Sequence, residues 1–284
     1  MKNSIFFFIC LMGFTVSSAQ HQLVIKWETE PNLKVPESVL LDDKNKILYV
    51  SNIDGAPWAK DGKGSIGKIG LDGKIIVTDW ITGLNAPKGM GLYKNKLYVA
   101  DVDKVIVIDL SKAVIIQNIP IIGAIALNDI TIDKKGVVYV SDSKTKKIHQ
   151  LIDGKVSLLL ENLKWPNGLL MHKKDFYVLD NGSLYQMDKS KKLTLIADGM
   201  EGGTDGVVNV EVADFIVSCW DGVIWYVKGD GSKELLLDTK EQKINTADIA
   251  YDAKNKIVYV PTFWKNSVIA YQLSFKTPGN PAKL

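Results

Sequence analysis

Arginine is missing altogether: all 35 basic residues are lysine, set against 32 Asp and Glu for a formal net charge of +3. Without the planar guanidinium fork there is no side chain for a bidentate grip on phosphate or carboxylate. The lysines also avoid clustering, falling in turns such as Asp43–Lys46, Lys134–Lys135, Lys173–Lys174 and Lys189–Lys192. That describes a solvated surface. It lacks the basic stripe of a nucleic-acid binder and gives no reason to expect a membrane partner. Cysteine is scarce, with Cys10 and Cys219 alone, and histidine is limited to His21, His149 and His172. A disulfide framework is therefore excluded, and a zinc or iron centre ringed by His and Cys is disfavoured. Cys219 reads as a small buried hydrophobe, and no Ser-His-Asp arrangement suggests itself.

Long apolar runs are also lacking, save one at the start. Lys2, the apolar stretch Ile5–Phe14 and the small residues Ser17-Ser18-Ala19 read as a secretory signal over residues 1–19. The stretch is short for a membrane span of about 20 residues. Its removal takes away Cys10 and Lys2, which lowers the net charge from +3 to +2 and leaves no internal disulfide. The expected compartment is secreted or periplasmic, with no membrane contact after cleavage.

What the chain does have is a repeat. Related phrases begin at Pro36, Pro87, Leu127, Pro166, Thr204 and Ala247, each followed by a β-rich run such as Ile47–Ser51, Leu97–Asp101 or Val137–Asp142. The intervals from Lys88 to Asn128, Asn167, Asp205 and Ala247 are 40, 39, 38 and 42 residues. A period of about 40 with several short strands per unit marks a β-propeller. In the third unit Asp129–Asp133, Val137–Ser141, Lys147–Ile152 and Lys155–Leu160 read as four antiparallel strands, with Asp153-Gly154 as a hairpin turn. The last unit supplies only three strands. Leu23–Thr29 is the expected fourth, since an open ring would expose sheet edges. The expectation is an all-β fold: a six-bladed propeller over residues 20–275, closed by its N-terminal strand, with a tail at 276–284. The first interval, Glu37 to Lys88, is 51 residues. Its excess, Asp54–Ser65, is placed to overhang one face as a lid.

Propeller geometry brings equivalent positions to one axis. Glu37, Lys88, Asn128, Asn167 and Asp205 share that register, with Asn52, Asp101, Asp142, Asp180, Trp220, Asp221 and Trp264 around them. Glu37, Asn128, Asn167 and Asp205 offer two carboxylates and two amide carbonyls, a donor set for Ca²⁺ or another divalent cation. Taken singly, Asn167-Gly168 and Asp205-Gly206 also read as turn dipeptides, and Asp101, Asp142 and Asp180 as turn caps. Asp142 is kept beside Lys88, Trp220 and Trp264 as a candidate substrate contact. Lys88 has two readings. Its ammonium either pairs with Glu37 or Asp205 in place of a metal, or holds an anionic substrate.

These phrases resemble the senescence marker protein (regucalcin), gluconolactonase and luciferin-regenerating enzyme family over nearly the whole chain after residue 19. The resemblance rests on Glu37, Asn128 in Leu127-Asn128-Asp129, Asn167 in Pro166-Asn167-Gly168-Leu169, and Asp205 in Asp205-Gly206. It implies that these four line a central metal site. It departs at the Arg that sugar-acid lactonases place upstream of the Asn-Asp-Gly phrase, where Ala126 and Leu127 stand. The function implied is calcium-assisted hydrolysis of a small lactone or ester, with Asp205 taking a proton from water. Val138–Ser143 also resembles the repeat of non-enzymatic NHL propellers. The alternative is thus a non-catalytic propeller binding a protein or small ligand on the same face.

Overall fold

The computed structural model describes residues 20–275; the signal expected at 1–19 and the tail expected at 276–284 lie outside the described residues. Strand β1 (His21–Glu28) comes first in the chain but joins the last sheet. The first complete sheet is β2 (Pro36–Asp42), β3 (Ile47–Asn52), β4 (Gly64–Gly70) and β5 (Ile75–Leu84). The second is β6 (Pro87–Tyr93), β7 (Lys96–Asp101), β8 (Lys104–Asp109) and β9 (Val114–Pro120). The third is β10 (Leu127–Ile132), β11 (Val138–Asp142), β12 (Lys147–Ile152) and β13 (Lys155–Leu160), its last two strands as read from the sequence. The fourth is β14 (Pro166–His172), β15 (Asp175–Asp180), β16 (Ser183–Met187) and β17 (Leu193–Ala197). The fifth is β18 (Thr204–Asn209), β19 (Phe215–Cys219), β20 (Val223–Val227) and β21 (Lys233–Asp238). The sixth joins β22 (Ala250–Asp252), β23 (Ile257–Pro261), β24 (Val268–Phe275) and β1. This is the six-bladed propeller expected from the repeat.

The apolar alternation of these strands is buried between blades. Tyr49, Ile66 and Leu84 of blade one pack with Met90, Val99 and Ile106 of blade two. Five more clusters of this kind fill the remaining blade interfaces, ending with Val39 and Leu48 against Tyr259 and Ala270 of blade six. A middle strand has a neighbouring blade on each face, so β19 and β23 are buried throughout.

Ring closure uses both chain ends. β1 pairs antiparallel with β24 from His21↔Phe275 to Glu28↔Ile269. Trp27 donates its indole N–H to the Leu71 carbonyl of blade one at 3.0 Å. His21 stacks on Tyr226 of blade five at 3.7 Å and meets Glu234 Oε2 at 2.8 Å. One strand therefore ties three blades together.

Candidate functional site

Glu37, Lys88, Asn128, Asn167 and Asp205 are each the second residue of an inner strand. In all five blades the ladder is regular at the first residue and then shifts register. A bulge of this kind bends the strand and re-aims the side chain within it. The N–H groups it frees are met in three blades by a serine of the second strand. Ser51 Oγ accepts from Ser38 N, Ser141 Oγ from Asp129 N and Ser218 Oγ from Gly206 N, at 2.9–3.0 Å. In the sixth blade the equivalent position is Ala247, buried with Phe263, Ile53 and Ala86.

The five hub side chains border one cavity of about 560 Å³, walled by Pro57, Trp58, Trp165, Trp220, Asp221, Phe263 and Gly202–Thr204. Pro57 and Trp58 are the residues of the expected lid segment that border the cavity. Asn167 Nδ2 donates to Asp205 Oδ1 at 2.8 Å. Asn128 Nδ2 donates to Ser143 Oγ at 3.1 Å, and Ser143 Oγ donates to the Pro166 carbonyl at 2.7 Å. Lys88 Nζ lies 3.5 Å from Glu37 Oε1, with both side chains nearly sealed from bulk water. The Trp58 ring lies 4.3 Å from the same ammonium. Two buried oxygens, Glu37 Oε2 and Asn167 Oδ1, have no partner among the described residues.

Two other expected contacts lie elsewhere. Asp142 does not border the cavity; its carboxylate accepts the backbone N–H groups of Ile125, Ala126 and Thr145 at 3.0–3.1 Å. Asp101 does the same for Asn85 and Ala86, and Asp180 for Lys164 and Trp165. This recurrent aspartate pins the loop that enters the inner strand in blades two, three and four. Trp264 is 51 % exposed and borders a separate shallow depression with Lys240 and Lys243. Its neighbour Phe263, at φ 51°, turns inward instead. Cys219 is fully buried, and burial pushes its thiol up to about 12, which leaves it unreactive. His149 and His172 are not among the residues bordering the cavity.

Sequence reasoning missed Asp129 and Asp248, one residue beyond the hub register. Asp129 accepts from Leu169 N of the next blade and from Ile130 N, both at 2.6 Å. Asp248 accepts from Ser38 Oγ of blade one at 2.6 Å. Glycines make room for both. A Cβ at Gly89 would sit 2.3 Å from Asp129 Oδ1, and one at Gly206 would sit 2.6 Å from Asp248 Oδ1. Asp129 thus ties blade three to blade four, and Asp248 ties blade six to blade one. Trp165 was missed too, although its signal was readable: it is the one large residue just before a phrase start, where Val35, Ala86, Ala126 and Gly203 stand in other blades.

Charge is crowded along this axis. Burial raises the carboxyls of Asp205, Asp129 and Asp248 well above the usual carboxylate range. The charge of Glu37 pushes Asp205 further, against opposing help from Lys88 and the Asn167 hydrogen bond. Burial also raises Glu37, offset in part by Lys88. Acids raised in the folded state contribute stability that is complete below their unfolded values of about 4 and is lost as pH rises through the folded values. Glu234 acts oppositely. It is lowered to about 2 despite desolvation, chiefly by its hydrogen bond from Lys228 and those from His21, and its contribution is lost only as pH falls below the ordinary carboxylate range. His149 and His172, lowered mainly by desolvation, oppose this near the ordinary imidazole range, but more groups are raised than lowered, so the melting temperature in chelator is expected to be lower at pH 8 than at pH 5. Added calcium should flatten that slope, because a cation on the axis favours the ionised carboxylates. Scanning calorimetry across this range checks both; a metal-free protein more stable at pH 8 than at pH 5 contradicts the account.

Several solved structures share the fold. The chain superposes on a candidate gluconolactonase with a TM-score of 0.66 at 13 % identity, covering 92 % of this chain and 94 % of that one. For a catalytically inactive virginiamycin B lyase from Staphylococcus aureus, solved with quinupristin, the TM-score is 0.63 at 12 % identity, covering 90 % of this chain and 100 % of that one. A chain of a nidogen/laminin complex gives 0.62 at 17 % identity, covering 76 % and 84 %. At such identities the likeness is one of fold. No family model matches the chain, and no curated protein matches it.

Proposed function

We propose that the protein hydrolyses small esters or lactones with the help of a divalent cation, calcium by preference, held on the propeller axis. The observation that carries this reading is the pair of orphaned oxygens. Glu37 Oε2 and Asn167 Oδ1 are buried acceptors without a donor among the described residues, on residues that border the cavity. Leaving such groups unmet is costly, and each calls for a partner. With Asn128 and Asp205 they provide oxygens from four blades, two of the four groups being carboxylates. Among the described residues no three His, Cys, Asp or Glu gather as a metal cluster, so amide oxygens complete the set. That suits a hard cation that accepts six to eight oxygens in flexible geometry.

When bound, the cation would polarise the substrate carbonyl and favour the negative charge that develops on it. The protein's own part is proton transfer and placement. Asp205 keeps Oδ1 on the Asn167 amide, and its other oxygen is placed to take a proton from the attacking water. Asn128 and Asn167 orient substrate oxygens, and the three tryptophans give apolar walls that displace water. The lyase neighbour supports the reading to this extent: its fold serves small-molecule chemistry.

The test is turnover on a panel of lactones and aryl esters, before and after chelation, beside a metal analysis of the purified protein. Activity lost to chelator and restored by stoichiometric calcium is the expected result. Activity that survives exhaustive chelation rejects the mechanism. The Lys88–Glu37 contact favours a second reading, in which the ammonium takes the cation's place and the cavity binds a ligand without chemistry. That version gives neither turnover nor metal.

A further inference from the structure

Lys88 is a buried ammonium with unfilled donors. The residue is 2 % exposed and is the only cation among the described residues that border the cavity. Its one ionic partner, Glu37 Oε1, stands at 3.5 Å, well beyond the roughly 2.7–2.9 Å of a tight charge-assisted bond. An ammonium has three N–H donors, and this one meets no other acceptor among the described residues. The Trp58 face at 4.3 Å attracts the charge and shields it from water on the loop side. The loop is itself held at its start by Lys34–Asp54 at 3.4 Å and past Trp58 by Lys60–Asp103 at 2.6 Å. The ammonium is thus positioned, partly desolvated and open toward the cavity interior.

We infer that the ligand of this cavity carries a carboxylate, received by Lys88, on an apolar or ring-shaped body that lies against Trp165, Trp220 and Phe263. Calling this ligand the substrate rests on the hydrolase reading; the binding itself does not. Charge balance selects the anion. A divalent cation on Glu37 and Asp205 cancels those two carboxylates and leaves the Lys88 ammonium as the net positive charge; one carboxylate balances it, whereas a phosphate dianion would leave surplus negative charge. No arginine exists in the chain to absorb it. A cation drawn to Glu37 would also release the ammonium from its one ionic partner among the described residues and strengthen its hold on the ligand. Lys88 then determines specificity and leaves proton transfer to Asp205.

The experiment compares cyclohexanecarboxylate with cyclohexanecarboxamide, a pair of like shape that differs in charge. Binding to the intact protein is followed by tryptophan fluorescence and calorimetry, with calcium and with chelator. The carboxylate is expected to bind at least about tenfold more tightly in one or both conditions, as a charge-assisted hydrogen bond would give. Lys88→Gln is expected to bring the ratio to about one, and rising salt to weaken the carboxylate alone. Since Lys88→Gln strands Glu37, the double variant Glu37→Gln/Lys88→Gln removes the pair together and must lose the preference as well. Equal binding of the two compounds by the unaltered protein, a preference that survives both variants, or no binding of either compound overturns the inference. A purely structural Lys88 would lower the melting temperature and leave the ratio untouched. The hydrolase reading is judged separately by turnover, so each idea can fail alone.

Discussion

Asp205→Asn is expected to lower kcat/KM on the responsive ester or lactone by about two to four orders of magnitude, the range for loss of a positioned general base. It should do so without unfolding the protein. The amide is isosteric, and its oxygen still accepts from Asn167 Nδ2, the contact now made at 2.8 Å. It cannot accept the water's proton or offer a charged oxygen to a cation. Stability should move the other way. Asp205 is 3 % exposed, its charged form disfavoured by burial and by the charge of Glu37. A neutral side chain escapes that burden, so the melting temperature at pH 8 should hold or rise. Lost activity with retained or increased stability marks a residue kept for chemistry at a cost to the fold. The measurement is steady-state kinetics beside calorimetry. Near-normal turnover by the variant would remove Asp205 from the mechanism.

The other large effect concerns the fold. A chain lacking residues 20–28 is expected to give no cooperatively melting monomer. The loss removes the fourth strand of blade six along the whole register from His21↔Phe275 to Glu28↔Ile269. It takes Trp27 from the interface where that ring meets Tyr259 and the Leu71 carbonyl, and His21 from its stack on Tyr226. Burial of one aromatic is worth roughly 3 kcal/mol, against a total stability of about 5–15 kcal/mol for a domain. The backbone of β24 would become an open edge, a template for association between chains. Size-exclusion chromatography and far-ultraviolet circular dichroism test this, with a peptide spanning residues 20–29 added in trans as rescue. A truncated chain that stays monomeric and melts near the original temperature would show that closure rests elsewhere.

The blades were readable because each strand repeats a strong local pattern, and ring closure followed from a simple deficit of one strand. The hub register was readable for the same reason: Glu37, Lys88, Asn128, Asn167 and Asp205 occupy one position of a repeated phrase. Limits appeared where one residue of phase decides direction. Asp129 and Asp248 follow the hub positions directly, and only the bulges reveal that they reach into glycine-made space on the neighbouring blade. Asp142 looked like a site residue because its repeat position ends near the mouth. One of the three N–H groups it accepts, from Thr145, lies in the turn that follows it; the other two come from the loop that folds back over it, 16 and 17 residues away, a contact no local pattern displays. Trp264 and Phe263 are adjacent aromatics, and a single left-handed φ at Phe263 decides which one faces inward. A sequence-level reading had no means to see that.

The site is drawn from five separate wedges of the ring, with Ala247 as the one silent member. Wedges one, three, four and five are not all neighbours, so whatever settles on the axis braces parts that otherwise meet only through intermediaries. At a hundredfold excess over its dissociation constant, such an occupant adds about 2.7 kcal/mol to the folded state. Occupancy would therefore be felt at the rim, as slower exchange of amides in outer strands that never approach the bound group.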